Sequence, residues 1–155
     1  SWLPLIISTP DADDMLSELM AIAKDNIDAW IHCAAVLDYI VSNPAKGKVA
    51  SQQGSLQVDL VEGAKHIQLL KELCANSVRI GFKLESGIKQ KDLIYRAVAQ
   101  IENSGMTAVI ANRLEDLGNP EKPRGYLVDT HGAHFILEDQ KKMCDAIQTF
   151  VERGY

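Results

Sequence analysis

No apolar run in this chain approaches the roughly 18 residues needed to cross a bilayer. The opening Trp2–Ile7 lacks the charged start and cleavage site of a signal peptide. There is no basic excess either. The formal charge of -5 argues against a general nucleic-acid binder, while leaving room for a local basic pocket. Cysteine is sparse. Cys33, Cys74 and Cys144 lie far apart, an odd count without CxxC spacing, so neither a disulfide framework nor a zinc pattern is present. They are expected as reduced, mostly buried thiols of a cytoplasmic protein. No GxGxxG turn is present, which leaves a dinucleotide-dependent oxidoreductase without its fingerprint. His131-Gly132-Ala133-His134 brings two histidines together, but no acidic or cysteine partner has ligand spacing. They are expected as exposed turn residues, and no metal site is assigned.

What remains is ordinary for a globular chain: 46% hydrophobic and 24% charged residues over 155 positions. That length suits one domain, residues 1–155, with a sizeable core. No repeat, low-complexity segment or second domain is visible.

Leu3–Ile7 reads as a short strand. Ser8-Thr9-Pro10-Asp11 reads as a helix start, with a hydroxyl cap followed by Pro. Met15, Leu16, Leu19, Met20 and Ala23 then fall at helical spacing. Asp28–Val36 reads as a strand buried on both faces, as in a parallel sheet covered by helices. A long irregular loop follows from Asp38 to about Gly54, and loops of that length are usually functional or mobile. Leu56–Leu60 alternates as a strand does. Ile67, Leu70, Leu73 and Cys74 mark a helix, Val78–Leu84 a buried strand, and Ile94, Ala97, Val98 and Ile101 a second helix ending near Gly105. Thr107–Ala111 is a further strand, and Leu114–Arg124 a loop. Tyr126–Val128 and His134–Ile136 form a terminal hairpin. Met143, Ile147, Phe150 and Val151 define the last helix.

The alternation predicts an α/β fold: a Rossmann-like, three-layer, mostly parallel sheet with helices on both faces and a C-terminal antiparallel hairpin. Ligands of such sheets bind beyond the carboxyl ends of the strands. Three stretches lie there. After the first strand, Ala34-Ala35 allows close approach to the backbone, and Asp38 is the first ionisable group. Lys46 and Lys48 lie in the long loop, where a lysine can close over a phosphate. Gly81-Phe82-Lys83 offers room, a ring that could stack on a base, and a cation for a phosphate. Asn112 ends the third.

These residues carry a resemblance. Ala34-Ala35-Val36-Leu37-Asp38-Tyr39 looks like the Ala-Ala-Val-x-Asp-Tyr motif of phosphopantothenate–cysteine ligases. Lys48-Val49 is similar to the loop Lys-Ile of that family. Gly81–Ser86 resembles its Gly-Phe-Lys/Ala-x-Glu-Thr segment, and Ala108–Asn112 its strand ending in Ala-Asn. The order agrees from about Leu5 to the last helix. The resemblance implies a ligase joining 4'-phosphopantothenate and L-cysteine through an acyl-nucleotide, in coenzyme A biosynthesis. It implies CTP or ATP as cosubstrate with Mg2+, no flavin, no nucleic-acid or membrane partner, and a homodimer. It implies that the backbone of His32, Cys33, Ala34 and Ala35 and the side chains of Asp38, Phe82 and Arg96 hold the nucleotide. Lys48 would be catalytic and Asn112 would meet substrate. The sequence departs from the family at Gly63-Ala64-Lys65-His66, at Ala50 and at Gln100. It also lacks the Gly-Gly-Thr phosphate loop, so the domain is expected to be incomplete at its N-terminus. A non-catalytic nucleotide-binding or interaction domain on the same fold is the alternative.

Overall fold

A computed structural model describes residues 4–51 and 54–153. The first element is helix α1, Ala12–Ile22. Its cap is Asp11, whose carboxylate accepts from the Asp14 amide at 2.9 Å, rather than the expected Ser8 or Thr9 hydroxyl. A carboxylate at that place also complements the positive end of the helix. Ahead of it, residues 4–9 form no strand, and Leu5 and Ile6 are exposed. The expected strand fails over Pro4–Ile7 because no neighbouring strand pairs with that segment (Leu3 lies outside the described residues).

Strand β1 is Ala29–His32, much shorter than the expected Asp28–Val36. The Cys33 amide turns back onto the Ile31 carbonyl at 3.2 Å, a tight turn that ends the ladder. β1 is also an edge strand, so Trp30 is buried but Ile31 is half exposed. The long loop is not irregular throughout. It contains β2, Tyr39–Val41, paired antiparallel with β3, Leu60–Glu62, in a separate two-stranded sheet. The two strands and the loop between them form an arm. The alternation over Leu56–Leu60 marks this region, but pairing begins only at Leu60.

The short helix α2 is His66–Leu69. Strand β4, Val78–Glu85, leads to helix α3, Gln90–Ser104, which Gly105 ends at φ 62. Strand β5 is Ala108–Arg113, β6 is Gly125–Asp129 and β7 is His134–Leu137. Helix α4 is Gln140–Arg153. The main sheet has the order β1-β4-β5-β6-β7. β1, β4 and β5 are parallel; β6 pairs antiparallel with both β5 and β7, giving the expected hairpin with β7.

Strand alternation sorts the core into two faces. Val109, Ala111, Tyr126 and Val128 meet Leu93, Ala97 and Ile101 of α3. Val78, Ile80, Ala108, Ile110 and Leu127 meet Met143, Ile147 and Phe150 of α4. On the α3 side, Trp30 packs with Leu19 and Ala23 beside Leu70 and Cys74. The three-layer fold is therefore as the sequence predicts. The thiols are less buried than expected: all are free, Cys74 is buried, and Cys33 and Cys144 are exposed.

Candidate functional site

The carboxyl ends of β4 and β5 lie side by side, with Glu85 opposite Arg113, and β1 ends beside the middle of β4, with His32 opposite Gly81. On the α3 face of this edge the side chains form a chain of opposite charges. Asp38 and Lys65 make an ion pair between exposed groups. The hydrogen bond from Lys65, and then its charge, lowers the Asp38 carboxyl below its usual range, with a smaller contribution from Lys83. Lys83 lies 3.1 Å from one oxygen of Glu85, and Arg96 of α3 lies 2.6 Å from the other. Gly81 makes room beside them. A β-carbon there would come within 2.9 Å of the Gln100 amide nitrogen, which donates to the Phe82 carbonyl at 3.3 Å.

Beneath this surface lies Arg79, which is fully buried. Its guanidinium donates to the Ser104 carbonyl at 2.6 Å, the Gly105 carbonyl at 3.3 Å, the Ile67 carbonyl at 2.8 Å and His32 Nε2 at 3.4 Å. A buried charge is costly unless it is hydrogen-bonded. Here carbonyls at the negative end of α3 supply part of the compensation. Burial, and then the Arg79 charge, lowers the His32 pKa from 6.5 to about 4. The His32 ring stacks on Trp30 with centroids 6.0 Å apart. Arg79 thus fastens the end of β1, α2 and the end of α3 together. Its only signal in the sequence is an arginine in the apolar first half of the strand, between Val78 and Ile80.

The structure brings some of the expected site residues together and separates others. Asp38 and Arg96 join the charged edge, through Lys65 and Glu85 respectively. Cys33, Ala34 and Ala35 follow β1 as an exposed loop leading to Asp38. Phe82 points to the opposite face, where it packs with the α4 core. Asn112 shares that face by strand alternation, and its amide donates to the Arg124 carbonyl at 2.5 Å. Lys48 is exposed on the arm and makes no hydrogen bond or ion pair with a described residue. His131 is exposed in the β6–β7 turn, and His134 meets Tyr126 edge-on. Among the described residues no group of three or more His, Cys, Asp or Glu could hold a metal ion. A groove of about 1220 Å³ opens at the other end of the sheet, where β4 and β5 begin, lined by Asp28, Ser77, Thr107, Asp129 and Phe150. It lies far from the strand carboxyl ends, so size alone does not locate the site.

Comparison with known proteins matches residues 5–152 to the DNA/pantothenate metabolism flavoprotein C-terminal domain. The coenzyme A biosynthesis bifunctional protein CoaBC of Thermococcus kodakarensis is 34% identical over 116 residues, covering 74% of this chain and 28% of that protein. This chain therefore spans little more than a quarter of that relative. The crystal structure of the DNA/pantothenate metabolism flavoprotein from Streptococcus pneumoniae superposes with a TM-score of 0.74 at 20% identity, covering 90% of this chain and 70% of that one. A Cab2 variant in complex with phosphopantothenate-cysteine gives 0.69 at 21% identity, covering 92% and 50%. At these identities the two structures establish the fold.

Proposed function

The chain belongs to the DNA/pantothenate metabolism flavoprotein C-terminal domain family, and from that premise we propose that it is a phosphopantothenate–cysteine ligase domain of coenzyme A biosynthesis. The family match over residues 5–152 carries this reading. The charged edge is chemically suited to it. In the first half-reaction the carboxylate of 4'-phosphopantothenate attacks the α-phosphate of CTP or ATP, and pyrophosphate leaves. In the second, the cysteine amine attacks the acyl carbon, an amide forms, and nucleoside monophosphate leaves. Both steps develop negative charge that cations and backbone donors stabilise.

In this reading the backbone of His32–Ala35 and the Asp38 side chain hold the nucleotide, with Arg96 toward its phosphates. Lys48 reaches the reacting groups when the arm closes. Phe82 and Asn112 serve from the α4 side of the edge. Mg2+ arrives with the triphosphate, since this ion is commonly held by substrate phosphates and a few carboxylates. No described helix is long and apolar enough to cross a membrane. The family reading, not that absence, is what assigns the reaction to the cytoplasm. The domain works as a homodimer. Tyr39, Ile40, Val41, Leu60 and Val61 of the arm are all substantially exposed, and a second copy is the occupant that would cover them.

Pyrophosphate release with 4'-phosphopantothenate, Mg2+ and CTP or ATP, with and without cysteine, tests the reading. Release that depends on phosphopantothenate establishes carboxylate activation, and the better nucleotide fixes the specificity. Nucleotide binding without release favours a non-catalytic binding domain. Lys48→Ala is expected to lower turnover about a hundredfold or more with the fold intact, as loss of a transition-state donor does. Unchanged turnover removes Lys48 from the mechanism.

A further inference from the structure

Lys83 is not among the residues the ligase reading uses. Its surroundings give it a role. It stands on the α3 face of β4, two residues before the strand's last residue, Glu85, and opposite Ala111 of β5. The Lys83 ammonium and the Arg96 guanidinium hold the two oxygens of a single carboxylate, one on each. The two cations are therefore close enough to bind one small oxyanion together. A phosphate group presents the same pair of oxygens with more charge, and arginine and lysine are the side chains that receive it. The Lys83 charge also reaches Asp38, so the clamp adjoins the Asp38–Lys65 pair across the same edge.

We propose that Lys83 and Arg96 form a clamp for a polyphosphate group, closed on Glu85 in the free protein and taken over by the ligand, with Lys83 as a further nucleotide-phosphate-binding residue. This rests on the ligase reading for the identity of the nucleotide, but not for the clamp itself. Glu85 keeps both cations aimed at one point until the anion arrives.

Calorimetric binding of inorganic tripolyphosphate to the full chain tests the clamp. Loss of one charge-assisted contact is expected to weaken tripolyphosphate about tenfold in Lys83→Gln, while Lys83→Arg keeps most of the affinity. Lys141→Gln, on α4 across the sheet, should match the wild type, and thermal melts should show all variants folded. Lys83→Gln binding as tightly as the wild type would overturn the clamp, as would a wild-type chain that does not bind tripolyphosphate. Pyrophosphate release, measured in parallel, separates the two ideas. Absent release, both from this chain and from one carrying a Gly-Gly-Thr phosphate-loop segment, with a Lys83-dependent tripolyphosphate site removes the ligase reading and keeps the clamp. Phosphopantothenate-dependent release with unaltered Lys83→Gln binding does the reverse.

Discussion

His32 gains an Arg79 N–H at Nε2, so its own ring proton belongs on Nδ1 and the neutral ring is the form that fits. The unfolded imidazole takes a second proton near pH 6.5, whereas the folded one resists until about pH 4. Between those values the unfolded state binds more protons. Stability is therefore complete above pH 6.5 and falls as the pH drops toward 4. Discounted for the partial exposure of the ring, the loss is about 1–2 kcal/mol. Urea unfolding at pH 7.5, 5.5 and 4.5 should show this slope in the wild type and a shallower one in His32→Gln. Identical slopes would mean that other groups carry the acid sensitivity. The same scale applies to Asp38. Removing its carboxylate in Asp38→Ala should weaken nucleotide binding, read by calorimetry, and unaltered affinity would reject its assignment to the nucleotide.

At the scale of elements, the start of β6 is fixed by a crowded crossing. A β-carbon on Gly125 would stand 2.8 Å from the Ala111 carbonyl oxygen and 2.5 Å from the Asn112 amide nitrogen. Backbone of a central strand cannot retreat as a side-chain tip can. Gly125→Ala should cost about 1–3 kcal/mol, the range for overpacking, and a lowered urea midpoint with an unchanged m-value would show it. A midpoint equal to the wild type would mean that the β5–β6 crossing can relax. The Asn112 amide bond to Arg124 explains why this asparagine, read from sequence as a ligand contact, already has a structural partner. Legibility differs between elements for the same kind of reason. β4 and α3 were bounded closely by the sequence because an apolar run flanked by polar residues, and a stripe ended by Gly105, are local signals. β1 is shorter than its sequence suggests because Cys33–Val36 is as apolar as a strand, and only the turn at Cys33 shows where pairing stops.

For the whole molecule, the arm is the feature that the main sheet does not explain. Its two strands contact each other, and their apolar side chains remain largely uncovered. Exposed apolar strands of this kind are a liability unless a partner covers them. Sedimentation should give a dimer for the wild type, and Ile40→Asp with Val61→Asp should shift it toward monomer without loss of secondary structure. A wild-type monomer at micromolar concentration would leave the arm without its assigned partner.

The sequence by itself determined the α/β class, the helix on each face, the hairpin at the end and the family, because these rest on periodicity and on short ordered motifs. It also marked Asp38, Phe82 and Asn112 as lying near strand ends, and the resemblance added Arg96 on the following helix. Only the tertiary structure decided which of them share a face. Strand alternation sends Lys83 and Glu85 toward α3 and Phe82 toward α4, and register alone sets what stands opposite them. It also decided that Lys65 meets Asp38 and that Arg79 is buried against Ile67, Ser104 and Gly105, since contacts between residues distant in the chain follow from how elements pack, which no local pattern records.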